Sequence, residues 1–243
     1  NVKIGAGQQG ELDCTQTAAT AGTAALLGGS VVKGAQFLAD KLPTNQLMTK
    51  IYDGADEAQA DLVGFLKEFS ERPIETGEAA VIPENQPKVA DPGLKDPATA
   101  KKKVKRKGYK SPEQLSDIVR AGIAVDRPDE AQALVDKLAD NFEIVDEGWD
   151  AKPGGFFDRK VMVRLPNNKT GELQIYSQEI GNIKEDLHKV YTEAREIEKD
   201  PKQQDKYQDL LKQSDAIAAQ ALTAGAAIWQ PIYDQMNLTV PGL

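Results

Sequence analysis

Two acids stand where metal and phosphate chemistry is done. Asp117 falls in SDIVRAGIAVD, whose pattern predicts a helix running into a strand, and Glu172 opens the predicted strand GELQIY. Alternation along that strand sends Glu172 and Gln174 to one face and Leu173 and Ile175 to the other. An ionised side chain on a central strand is costly unless it is paired or bound to a metal. Two carboxylates converging from different elements make a site for Mg²⁺ and, with it, a nucleoside triphosphate. The competing expectation is that each acid ends its element in an ion pair with Arg120 or Arg159.

The charge distribution points to the same kind of ligand. The chain has 243 residues and a formal charge of −8, with a pI near 4.9. Residues 95–110, KDPATAKKKVKRKGYK, nevertheless hold eight basic side chains against one acid. One concentrated basic segment in an acidic chain suits a polyphosphate better than a long nucleic acid, which needs a broad stripe. A solvated basic helix or a localisation-like cluster is the plainer reading. One cysteine, Cys14, excludes an intramolecular disulfide and a cysteine-based zinc cluster, and one histidine, His188, excludes a multi-histidine metal site.

Apolar residues make up 40% and charged residues 28%, a globular balance with enough length for one sizeable core. No run is long and apolar enough for a membrane span. Cys14 to Val32 carries no charge but is rich in Ala, Thr and Gly. Helix packing through small residues or a flexible region is expected there, with membrane contact by residues 14–39 as the sharper alternative. Position 1 is not Met, and no basic leader with a cleavage site follows. The expectation is a processed product or a piece of something longer, located in the cytoplasm or delivered there.

The elements that must position the acids form an α+β pattern. A weak helix is expected over 15–40. In 55–70, Leu62, Phe65, Leu66 and Phe69 recur on one helical face. A proline-rich strap follows. Asp96-Pro97 opens a helix over 96–107, and Ser111-Pro112 opens another. Strands are expected at 123–126, 142–149, 160–165 and 171–176, with a helix from Pro128 to Leu138 between the first two. PNNKTG is the hairpin turn between the last two strands. Helices over 178–199 and 203–222 follow, then a short apolar tail. The expected organisation is a helical region 1–72, a linker 73–92, a catalytic-type domain 93–199 and a helical cap 200–243. The first and last of these are placed to dock over the cleft.

Residues 93–195 resemble the synthetase domain of the RelA/SpoT family, a nucleotidyltransferase-like fold with a small mixed sheet flanked by helices. GLKDPATAKKKVKRK resembles the family's basic ATP-binding segment, with Lys95, Thr99 and Lys103 at the spacing of its Lys, Ser and Lys. SDIVRAGIAVD resembles the element whose Asp binds Mg²⁺, and Asp117 falls on that position. PGGFFD resembles the G-Y-R-D segment, with Phe156 in place of the ring that stacks on the acceptor base. GELQIY resembles the E-x-Q strand, with Glu172 on its acid. LHKVYTEAR resembles the H-x-x-Y-x-x-x-R helix, with His188, Tyr191 and Arg195 in register.

The resemblance implies Mg²⁺-dependent transfer of pyrophosphate from ATP to the 3′-hydroxyl of a guanine nucleotide, making an alarmone. In toxin branches the acceptor is an RNA 3′ end. Lys95, Lys103, Lys105 and Arg106 would hold donor phosphates, and Asp117 and Glu172 the metal. Glu172 would also take the hydroxyl proton. Phe156, Gln174, His188, Tyr191 and Arg195 would face the substrates, and Tyr109 would stack on adenine or pack on the strap. Gly93, Gly122 and Phe157 stand where the pattern has arginines, which weakens the bidentate grip on phosphate. The competing expectation is an inactive fold of this family, serving as a structural or interaction part of a larger phage virion or delivered effector protein.

Overall fold

The structure, a computed structural model, describes residues 44–71, 74–76, 79–81, 86–152 and 155–238. The expected helix over 15–40, Cys14, and Pro153 and Gly154 of PGGFFD lie outside these. Packing divides the described residues into two compact units, one holding residues 44–51 and 101–115 and the other holding the described residues of 52–100 and 116–238. Helix α1 (Thr44–Tyr52) falls mostly in the first unit. There Lys50 meets Glu113 at 2.9 Å, and Leu47, Met48 and Leu115 are buried.

The second unit is built on a mixed sheet. Helix α2 (Ala55–Ser70) has the predicted face, with Leu62 and Leu66 fully buried. The strap carries a two-stranded hairpin, β1 (Ile74–Thr76) and β2 (Ala79–Val81), and then β3 (Lys88–Ala90). Helix α3 (Pro97–Lys107) begins at the Asp96-Pro97 signal, where Asp96 accepts from the Thr99 backbone N–H at 2.8 Å. The division between units falls within it. Then come β4 (Val119–Val125), α4 (Pro128–Asn141), β5 (Glu143–Ala151), β6 (Phe157–Arg164), β7 (Thr170–Ser177), α5 (Gln178–Ile197) and α6 (Gln204–Gln235). The five-stranded sheet has the order β3-β4-β7-β6-β5. Only β4 and β7 run parallel, and the other neighbours are antiparallel.

The predicted hairpin is β6–β7, in register from Arg164–Thr170 to Arg159–Ile175. Alternation gives the sheet two unlike faces. Val119, Ala121, Ile123, Val161, Val163, Leu173 and Ile175 are buried on one. Against Phe157 on that face pack Trp229 and Tyr233 of α6, the rings edge to face for Tyr233 at 5.4 Å. The opposite face carries Arg120, Gly122, Asp158, Lys160, Glu172, Gln174 and Tyr176.

Three expectations need correction. The segment after Ser111 is a single 3-10 turn, Pro112–Gln114, and no helix carries Asp117. Ser111 and Gln114 close a reciprocal capping box at once, and Leu115 turns to extended backbone. The last helix does not stop at 222. It runs through Pro231 to Gln235, because Trp229 and Tyr233 of the supposed tail are core residues. Arg159 pairs with neither acid. It sits on the apolar face, bound to Asp146 at 2.5 Å and to Gln132 at 2.9 Å.

Gln59 fixes α2 to the sheet in a way periodicity does not show. It is 7% exposed. Its Nε2 donates to the Arg120 carbonyl at 2.8 Å and to Asp91 at 2.7 Å, and its Oε1 accepts from the Arg120 N–H at 3.0 Å. The side-chain amide thus continues the ladder of β4 beyond the end of β3, whose last pair is Ala90–Gly122. Gln59→Ala strands both backbone groups, and denaturant unfolding is expected to show a loss of about 2 kcal/mol.

A buried acid at the other end of β4 makes stability pH-dependent. Glu130, in the first turn of α4, is 2% exposed, and its Oε1 has no hydrogen-bond partner among the described residues. Burial pushes its carboxyl up to about 7, reinforced by Asp126 and Asp129 and opposed by the Asp126 backbone N–H and Arg127. Between the ordinary value of 4.5 and 7 the unfolded chain loses a proton that the folded chain keeps. Stability therefore falls as pH rises through that window and levels off above it. Glu130→Gln is expected to remove the slope and to stabilise the fold at pH 8 by on the order of 2 kcal/mol, read by chemical denaturation at pH 5 and pH 8.

Candidate active site

The two acids stand at one end of the sheet. Asp117 lies in the coil entering β4, two residues before the Val119–Gly171 pair. Glu172 is one residue beyond it, on β7 opposite Arg120. Because β4 and β7 are parallel neighbours, both acids belong to the ends where these strands begin. Antiparallel strands would have sent them to opposite ends.

Asp117 is 7% exposed and Lys95 is 8% exposed, and Lys95 Nζ donates to Asp117 Oδ2 at 2.9 Å. The loop carrying Lys95 is pinned by its backbone. Lys95 N–H donates to the Ile118 carbonyl at 2.9 Å, and the Tyr52 hydroxyl donates to the Lys95 carbonyl. Two residues earlier Gly93 has φ +64, a left-handed turn that Asp91 closes by accepting from its N–H. The Gly93 carbonyl accepts from Arg120 Nε at 3.4 Å. Asp117 is thus partnered by a lysine and not by the arginines first considered.

Glu172 is half-buried and accepts from Gln174 Nε2 at 3.3 Å. Gln174 Oε1 in turn accepts from Lys184 Nζ of α5 at 3.4 Å. That ammonium lies 3.9 Å from the Tyr176 ring centroid and 5.8 Å from that of Phe156, and the two rings are 6.3 Å apart. Burial lowers the Lys184 amine to about 8, against the pull of Asp158 and Glu172. Phe156 therefore belongs to one cluster with Glu172 and Gln174 through Lys184.

The same face holds residues the motifs did not single out. Asp158 is 1% exposed, and neither carboxylate oxygen has a hydrogen-bond partner among the described residues. Burial holds its carboxyl above the usual range even though Lys152, Lys160 and Lys184 favour its charged form. Burial also lowers Lys152, with Lys160 adding to the effect. For Lys160, burial is outweighed by the charges of Asp158, Glu172 and Glu147, and its amine stays above its ordinary value. The alternation that placed Glu172 and Gln174 extends to Asp158 once β6 is seen to begin at Phe157, and Lys160, the first residue of the expected strand, shares its face.

The other expected residues lie on α3, just after it, and on α5. Thr99 is exposed in the first turn of α3, its hydroxyl donating to Asp96 at 3.1 Å. Lys103, Lys105 and Arg106 follow in the part of α3 that belongs to the other compact unit, with Lys105 and Arg106 exposed. Tyr109 of that unit is half-buried and its N–H closes the helix end on the Val104 carbonyl. His188 is exposed, Tyr191 is 39% exposed, and Arg195 stacks 5.1 Å from the Tyr191 ring centroid. These three share a stripe of α5 with Lys184, at spacings of four, seven and eleven residues. Among the described residues no group of three acids, histidines or cysteines gathers to hold a metal, and no helix is long and apolar enough to cross a membrane.

The mixed sheet, its strand order and its flanking helices define an α+β fold of the RelA/SpoT-like synthetase type. The chain is similar to a GTP pyrophosphokinase family protein from Streptococcus pneumoniae, with a TM-score of 0.51 at 17% identity over 78% of this chain and 94% of that one. It is similar to small alarmone synthetase 1 from Bacillus subtilis, with a TM-score of 0.51 at 15% identity over 76% of this chain and 97% of that one. No protein-family model matches the chain, and no curated protein matches it.

Proposed function

We propose that the chain transfers pyrophosphate from ATP to the 3′-hydroxyl of a guanine nucleotide or of an RNA 3′ end, in the cytoplasm. The supporting observation is the pair Asp117 and Glu172 at the starting ends of adjacent parallel strands, in a fold shared with proteins described as a GTP pyrophosphokinase and an alarmone synthetase. Carboxylate oxygens suit Mg²⁺, and two of them leave positions for phosphate oxygens and water. Asp117 and Glu172 would hold that ion, which when bound neutralises charge on the triphosphate.

This chain's residues then have separable tasks. Lys95, tied to Asp117 and to a pinned loop, supplies a fixed positive charge for the donor phosphates. Phe156 stacks on the acceptor base, and Gln174 holds Glu172 in line. The acceptor 3′-oxygen forms a bond to the β-phosphorus of ATP. The bond from that phosphorus to the oxygen shared with the α-phosphate breaks, and AMP departs with the electron pair. Glu172 takes the hydroxyl proton. Such transfer depends on positioning and charge more than on covalent chemistry.

The test is incubation of the full chain with ATP, Mg²⁺ and either GTP, GDP or a short RNA, followed by nucleotide chromatography. AMP formed only when an acceptor is present, with a matching pyrophosphorylated acceptor, supports the proposal. ATP left intact with every acceptor overturns it.

A further inference from the structure

We propose that Lys184 contacts the acceptor substrate, its ammonium serving as a ligand for phosphate oxygens of the group that stacks on Phe156. This deepens the reading of the site given above and rests on it for the class of ligand. Lys184 is positioned from three sides. Gln174 Oε1 lies 3.4 Å from its Nζ, the Tyr176 ring 3.9 Å and the Phe156 ring 5.8 Å. It therefore stands between the ring offered for base stacking and the Gln174–Glu172 pair.

The sheet leaves room for it. Gly122 of β4 pairs with Gln174, and a Cβ at Gly122 would come within 3.3 Å of Lys184 Nζ and 2.8 Å of the Tyr176 hydroxyl. A side chain at 122 would push on the Tyr176 hydroxyl and crowd the ammonium by a few tenths of an ångström, so the bare strand position leaves the lysine its room. Gly181, one turn earlier on α5, lets the helix approach the same strand. A Cβ there would lie 3.1 Å from Ala124 Cβ and 3.2 Å from Tyr176.

The ammonium is not consumed by the protein. Among the described residues no carboxylate lies within the 4.0 Å of an ion pair, and its hydrogen bond to Gln174 is long. Asp158 and Glu172 act on it only at a distance. An ammonium has three donors and no acceptor, and a half-buried one gains most from an oxygen-rich anion. Phosphate meets that need without requiring the planar fork of an arginine.

Contact can be read without turnover. The full chain is reductively methylated with isotopically labelled formaldehyde, and modification at each lysine is followed by mass spectrometry. The probes are GTP, tripolyphosphate and a short single-stranded RNA. Shielding of Lys184 by about tenfold with at least one probe, while the exposed Lys189 is unaffected, supports the proposal. Equal modification with and without all three probes overturns it. As a second measurement, Lys184→Met is expected to raise the KM for the acceptor about tenfold with a smaller change in kcat and an unchanged melting temperature, and Lys184→Arg to recover part of the loss. An unchanged KM in Lys184→Met overturns the proposal. If no AMP forms yet a probe shields Lys184, pyrophosphate transfer falls and the contact stands. If AMP forms and Lys184 is unshielded, the contact falls and the transfer stands.

Discussion

Glu172→Gln is expected to slow AMP formation about 10²–10⁴-fold, the range for losing a positioned general base. Glutamine keeps an oxygen that can accept from Gln174 Nε2, so the strand geometry survives. What it removes is the capacity to take a proton and one negative charge toward the metal. The loss belongs mainly to kcat, because Phe156, proposed to stack on the acceptor base, and Lys95 are untouched. Thermal unfolding of the variant should match the parent, since Glu172 is half-buried and not part of the core. A Glu172→Gln variant within about threefold of the parent rate would remove the proton-transfer role, because a missing general base costs far more than that.

The separation between what could and could not be read from the sequence is physical. Strand alternation is a local property with a period of two, so GELQIY correctly placed Glu172 and Gln174 on one face and Leu173 and Ile175 on the other. The Asn- and Gly-bearing turn made the β6–β7 hairpin legible for the same reason. Asp96-Pro97 marked the start of α3 because proline at the first helical turn loses no bond. The Ser111-Pro112 signal was equally strong, but a cap shows only where a turn opens. Leu115 turns to extended backbone and is buried in one unit, Ile118 is buried in the other, and no helix lies between them.

The candidate site was legible where a motif carried it and opaque where packing does. Asp117, Glu172, Gln174 and Phe156 came from patterned segments. Lys184 is ten residues from Gln174 in sequence and reaches it only because α5 folds back over the sheet at Gly181. Asp158 was hidden by a strand boundary set three residues too late, and Lys160, though inside the expected strand, carried no motif. Gln59 looks like any polar residue of an amphipathic helix, and its role appears only when β3 is seen to stop short of Arg120. The ion pair of Asp117 with Lys95 joins residues 22 apart, and nothing in the intervening segment marks the choice of lysine over Arg120.

That ion pair carries the other large effect. Asp117→Ala leaves the Lys95 ammonium in a place that is 8% exposed without its carboxylate, and a loss of about 3–5 kcal/mol is expected. Lys95→Met should also destabilise, because Asp117 loses its buried lysine partner. Replacing both, as Lys95→Met with Asp117→Leu, should recover most of the stability, because two apolar side chains of similar volume need no partner. The loop will hold its course in the double variant, since Lys95 N–H to Ile118 and Tyr52 to the Lys95 carbonyl are backbone anchors that neither substitution touches. Activity should behave oppositely. AMP formation should vanish in the double variant as in Asp117→Ala, because the restored fold lacks both the acid proposed to hold the metal and the lysine proposed to hold the donor phosphates. Melting curves and AMP release on the same four proteins read the two effects together. A double variant that is folded and still makes AMP would exclude Asp117 from the reaction. One as unstable as either single variant would mean that the pair is held by more than each other.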